Sequence, residues 1–219
     1  MIRRDYILRM VAELVQVLAR VVSLKSRQEY EQALREIDRA LRDLRADNGP
    51  APEEASLEDW MTLCRKHEQA ASGLMMAVAD LLREQGDVLA RQNQAVAGRR
   101  SQTLALGLFL EAVLTGETFV SAELLDKVDR LFETVRGSLT AAPVWRRMMK
   151  YLEARGRYAA AEDALFAWRD TGDPAARREG IAFYNQLLSL NDTELENGNL
   201  PRAEVNQGLQ EFLDSCNAN

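Results

Sequence analysis

The chain's single histidine, His67, follows a cysteine by three positions in Cys64-x-x-His67. On a helix that spacing puts both side chains on one face, offering two ligands to zinc or a nucleophile and its base. A zinc site needs three or four protein ligands, and Cys216 is the one other cysteine, so no metal is expected. No orienting group or oxyanion motif accompanies the pair, and no phosphate-binding loop, dinucleotide fingerprint or nucleophile elbow occurs. Acids such as Glu53-Glu54 or Glu194 and Glu196 come from a pool of 34 Asp and Glu. Most alternate with Arg at spacings that support helices. The expectation is a non-enzyme without cofactor. An enzyme built from scattered carboxylates and His67 is the lesser alternative.

The cations cluster locally, as Arg99-Arg100, Arg146-Arg147 with Lys150, and Arg177-Arg178. They are embedded in a chain of net charge −6 and isoelectric point about 5.1. No continuous basic stripe is present, so nucleic acid is not an expected partner. Charge is uneven along the chain: residues 1–46 carry ten Lys and Arg against seven acids, residues 170–219 three against nine. Exposed helix faces account for this pattern. The two cysteines lie far apart and suggest reduced thiols in the cytoplasm. Arg9, Glu13 and Arg20 interrupt the apolar N-terminal segment, and no uncharged run is long enough to span a bilayer. No membrane association is expected.

The elements that would position these residues are all helical. Apolar residues make up 47% of the 219 and proline contributes only 5, while Leu, Ala, Arg, Glu and Gln dominate. Ile7, Met10, Leu14, Val17, Val21 and Leu24 form one stripe at helical spacing, with a second, Val11, Val15, Leu18 and Val22, beside it. So wide an apolar face asks for burial against two neighbours, or against a second copy in a homodimer. A polar break leads into a second helix with Tyr30, Ala33, Ile37, Ala40 and Leu41 on one face. Asp47 to Ala55, with one glycine and two prolines, is a loop near 47–55.

Ser56 with Asp59 predicts the start of a helix running to Gly86. Another segment follows, with a bend at Gly98-Arg99-Arg100 and an end at Gly116. Further helices are expected around Leu124–Val135, from Pro143 to Gly156, and up to Thr171-Gly172. Asp173-Pro174 then starts the next, and two final apolar segments follow. Nine or ten helices in a single domain, 1–219, result. The methionine pairs Met75-Met76 and Met148-Met149 suit irregular helix packing.

Internal periodicity is strongest at residues 142–174. Trp145, Met148 and Leu152 precede Gly156-Arg157-Tyr158 at a turn, then Ala161, Leu165, Trp168 and Pro174 follow. This resembles one tetratricopeptide repeat, departing from it at Met149 and Trp168. Residues 14–45 repeat the frame through Leu24, Tyr30, Ala33, Ile37 and Ala40, with Gln28 where glycine is expected. A degenerate copy reads Gly198, Leu200, Ala203 and Leu209. The resemblance implies an all-α array of helical hairpins in a right-handed superhelix, working as a protein- or peptide-binding adaptor or scaffold. It also implies that Arg146 and Lys150, one turn apart on a first helix, face the concave groove and hold an acidic peptide or C-terminal carboxylate. Lys150 replaces the asparagine typical of chaperone-tail clamps. The whole chain, through MIRRDYILRM, GRYAAAEDALF and NGNLPRAEV, also resembles an uncharacterised bacterial family of helical-repeat proteins, which implies a fold and no particular chemistry. A self-associating structural protein is the other alternative.

Overall fold

Residues 2–45, 50–67, 70–115 and 120–217 are described by the computed structural model, and no strand occurs among them. Eleven α-helices and one 3-10 turn are described, against the nine or ten expected. The chain divides into two compact units, residues 1–139 and 140–219.

The first unit holds α1 (Ile2–Ser26), α2 (Tyr30–Arg45), α3 (Leu57–Arg65), α4 (Ala71–Arg91), α5 (Ala95–Leu114), α6 (Ala122–Val135) and the 3-10 turn Arg136–Ser138. The α4–α5 hairpin is its centre, and both helices of the α1–α2 hairpin pack on α4. Ser56 and Asp59 form the expected capping box: Asp59 N–H donates to the Ser56 hydroxyl at 3.2 Å, and Ser56 N–H donates to the Asp59 carboxylate at 2.8 Å. Residues 50–55 are non-helical, while 47–49 and the expected stop at Gly116 lie outside the described residues.

Two glycines expected to interrupt helices do not. The α4 helix runs through Gly86 and α5 runs through Gly98. They face each other: a Cβ added at Gly86 would lie 2.7 Å from the Gly98 carbonyl oxygen, and one at Gly98 2.8 Å from that of Gly86. Absent side chains let the two backbones approach, which outweighs the modest helix cost of glycine. Conversely, the single helix expected from Ser56 to Gly86 ends at Arg65 and resumes at Ala71.

The second unit holds α7 (Ala142–Ala154), α8 (Tyr158–Arg169), α9 (Ala175–Ser189), α10 (Asp192–Asn197) and α11 (Arg202–Asn217). Met148, Leu152, Ala161, Leu165 and Trp168 are buried as the spacing requires. Phe166 meets Phe212 edge-on at 5.7 Å between centroids, and Tyr184 lies 5.9 Å from Phe212. The degenerate third copy is out of register. Ala203 is exposed and Leu209 half-buried, whereas Val205, Gly208 and Phe212 face the core, and the left-handed turn residue before α11 is Asn199 rather than Gly198.

One turn recurs four times. The amides of Glu29, Gln94, Arg157 and Leu200 donate to the carbonyls of Leu24, Leu89, Leu152 and Leu195, five residues back, at 3.0, 2.9, 2.9 and 3.0 Å. The fourth residue after each leucine is left-handed: Gln28, Asn93, Gly156 and Asn199 have φ of 62°, 62°, 67° and 56°. This is the Schellman way of ending a helix, satisfying carbonyls the helix itself leaves open. The frame pairing Leu24 with Leu152 and Gln28 with Gly156 is thus a shared backbone geometry. The copy ending α4 carries no glycine and has no counterpart in the sequence frame.

Candidate functional site

Of the large apolar side chains described as exposed, Leu8, Val15 and Val22 lie on α1, and Val96 and Val120 stand elsewhere in the first unit. Of the inner stripe of α1, Leu14, Val21 and Leu24 are buried, Met10 and Val17 are half-buried, and the Ile7 side chain lies outside the described ones. The second stripe is not enclosed. Leu8, Val15 and Val22 are 54%, 53% and 45% exposed, with half-buried Val11 and Leu18 between them. Their positions, 8, 11, 15, 18 and 22, alternate three and four apart, the seam spacing of a helix meant to lie along another helix. Val11, Val15 and Leu18 border a groove of about 370 Å³ against Met76 of α4, Phe109 of α5 and Leu124 of α6. Asp80 and Lys127, 3.2 Å apart, close it with an ion pair.

The inner side of α1 borders a second groove, of about 430 Å³, together with α2, α3 and the turn after α3. Met10, Leu14, Val17 and Leu63 supply apolar walls, and Arg45, Lys66 and His67 bring three nitrogen-bearing side chains to it. Arg45, in the last turn of α2, is only 4% exposed. Its guanidinium lies 4.9 Å from the centre of the Trp60 ring. Its Nε and Nη1, and the Trp60 indole nitrogen, find no hydrogen-bond partner among the described residues.

The expected site residues fall elsewhere or apart. Cys64 is fully buried in α3, while His67 lies in the turn beyond its end, donating its backbone N–H to the Cys64 carbonyl at 3.0 Å. The pair therefore does not share a helix face. Burial pushes the Cys64 thiol up to about 12, so it stays protonated at neutral pH and is a poor ligand or nucleophile. No group of three metal-binding side chains occurs among the described residues.

Arg146 and Lys150 are both on α7, in the second unit, and both are engaged by acids. Arg146 donates to Glu179 of α9 through Nε at 3.2 Å and approaches it through Nη2 at 2.5 Å, with its guanidinium 5.8 Å from the centre of the Trp168 ring. Lys150 lies 3.4 Å from the Glu153 carboxylate. An acidic peptide would have to displace these carboxylates.

Two acids of α4, Glu84 and Asp87, come together beside Lys25 of α1. Glu84, nearly inaccessible, meets Lys25 and, at 2.7 Å, Arg83; Asp87 lies 3.4 Å from Lys25 and accepts from Gln102 at 3.1 Å. Each acid has a cation or amide beside it, the arrangement that makes buried charge tolerable. Sequence spacing does not reveal this network, because Lys25 and Glu84 meet only through the packing of α1 on α4. Arg45 is equally hidden: in sequence it reads as a helix-terminal cation suited to the dipole.

No described helix is long and apolar enough to cross a membrane. No curated protein and no solved structure matches the chain. No tetratricopeptide family matches it either, so the family-level likeness carried by residues 142–174 is not supported. Residues 1–217 match the model described as "Family of unknown function (DUF6483)", and the chain belongs to that family over almost its whole length.

Proposed function

We propose that the protein is a non-catalytic, protein-binding adaptor or scaffold built in the tetratricopeptide manner, from helical hairpins closed by one recurring turn. The observation that carries this reading is the outer stripe of α1. Leu8, Val15 and Val22 stand exposed at heptad spacing beside an apolar groove. A continuous exposed apolar stripe is disfavoured on a surface that nothing covers. A partner helix with apolar residues at positions i, i+3, i+4 and i+7 complements it. The function class rests on architecture, and stacked hairpins bind without reactive groups. A second reading, self-association, has the same origin: a heptad stripe is complementary to a copy of itself around a twofold axis.

The test compares wild type, Val15→Asp and the double variant Arg146→Glu, Lys150→Glu by affinity capture from source extract and by mass in solution. A partner retained by wild type and by the double variant but lost by Val15→Asp supports docking on α1. A partner lost only by the double variant moves the docking site to the second unit. A doubled mass in wild type that Val15→Asp halves selects self-association. Capture of nothing by a monomeric wild type sinks the adaptor reading.

A further inference from the structure

We infer that α11 is a pH-sensitive latch: it closes most tightly over Glu162 of α8 and Tyr184 of α9 when Glu162 is protonated, and ionisation of Glu162 loosens it. The latch lies wholly within the second unit and stands apart from docking on α1.

Gly208 is the starting point. It is buried near the middle of α11, and a Cβ added there would lie 2.9 Å from the Tyr184 hydroxyl and collide with Glu162 Oε1. The bare helix backbone therefore sits directly on the bond by which Tyr184 donates to Glu162 at 2.6 Å. It keeps water off the carboxylate and supplies no donor in return, because amides within a helix are already bonded to its own carbonyls. Tyr184 provides the hydroxyl that holds this half-buried carboxylate.

Charge on α11 is also of the opposing kind. Glu204 precedes Gly208 by four positions and Glu211 follows it by three, spacings that place both acids on its face, one turn to either side. With Asp163 of α8 they are the charges that act most on Glu162, and all three repel its ionised form. Arg169 of α8, whose charge reaches Tyr184, is bonded instead to Asp170 and to Ser215 of α11. What grips the helix against this repulsion is apolar. Val205 and Phe212 are fully buried, and the Phe212 ring lies where a Cβ at Gly180 of α9 would be.

Burial holds the Glu162 carboxyl above the usual carboxylate range; the Tyr184 hydrogen bond opposes the rise and the three acids add to it. A group that binds its proton more readily when covered is, by linkage, covered more firmly when protonated. The Glu162 contribution to docking is thus complete below its ordinary value and is lost as pH rises through its value under the docked helix.

Amide hydrogen exchange, corrected for intrinsic rates, tests this on full-length wild type, Glu162→Gln and the double variant Glu204→Gln, Glu211→Gln. It is read at about pH 4.5 and about pH 7.5, which span the titration of a raised carboxyl. At the higher pH the α11 amides of Glu162→Gln are expected to be at least about threefold more protected than those of wild type, with the difference closing at the lower pH. The double variant, altered only at exposed positions, is expected to move α11 in the same direction by a smaller factor. Amides of α7 are the reference and should not change. Unchanged α11 protection in Glu162→Gln, a gain as large at the lower pH, or a gain shared equally by α7 overturns the inference. Should Glu162→Gln not fold, the double variant decides on the same criteria.

Discussion

Glu162 shows how one residue's chemistry is set by neighbours its own sequence segment does not contain. It sits on α8 and accepts the Tyr184 hydroxyl proton of α9 at 2.6 Å. Burial is the largest influence and raises its carboxyl above the usual range; the Tyr184 hydrogen bond opposes this, while Asp163 beside it and Glu204 and Glu211 of α11 raise it further. Burial and the Glu162 hydrogen bond push the Tyr184 hydroxyl up as well. A carboxyl raised on folding binds its proton more readily in the native state. Its contribution to stability is complete below the unfolded value and is lost as pH rises through the folded one. Glu162→Gln keeps an acceptor for Tyr184 and removes the charge. Melts of both proteins at several pH values should show the variant more stable at neutral pH, with the gap closing on acidification. A gap that widens on acidification contradicts this account. Nothing in the segment YAAAEDALF marks Glu162 as half-buried, because the helices that cover it are supplied from 22 or more residues further along the chain.

The recurring turn belongs to the scale of the element. Gly156 takes the left-handed conformation at little cost, whereas Gln28 takes it against the contact between Cβ and its own backbone. Gln28→Gly is expected to stabilise the protein by about 0.5–1 kcal/mol, and Gly156→Ala to destabilise it by about 1 kcal/mol or more. Denaturant midpoints of the two variants check both, and a stabilising Gly156→Ala would show that this geometry is not needed there. The glycine turn at 156 was legible because Gly156, Tyr158 and Ala161 stand around it at a spacing that resembles a tetratricopeptide repeat. The turn at Asn93 was not, since asparagine enters the left-handed region without any distinctive neighbour. Gly86 and Gly98 show the reverse error. In sequence they read as a stop and a bend, and in the fold they are the point where the α4 and α5 backbones approach closely.

At the scale of the whole molecule, residues 140–219 form a compact unit with its own core of Met148, Leu165, Trp168, Phe183, Tyr184 and Phe212. A chain of about 80 residues with a core of this kind is long enough to fold without a disulfide or metal. Expressed alone, the segment should give a helical circular-dichroism spectrum and a cooperative thermal transition. A flat, non-cooperative melt would show that its core depends on the preceding 139 residues. The site is more distributed than any single motif. The outer stripe of α1 was visible as a second apolar stripe, but its exposure was not, and Arg45 carried no sequence signal beyond its place at a helix end.

The sequence by itself determined the helical class, the capping box at Ser56, the hairpin turn at Gly156 and the inner stripes of α1, α2, α7 and α8. These follow from interactions within one or two turns of chain, where residue type and spacing are sufficient. The tertiary structure alone decided that Gly86 and Gly98 join helices, that Cys64 is sealed away from His67, that Arg146 is taken by Glu179, and that Arg45 is buried beside an open groove. Each of those depends on which distant helix covers a given face. Periodicity establishes that a face is apolar; only packing establishes what, if anything, lies against it.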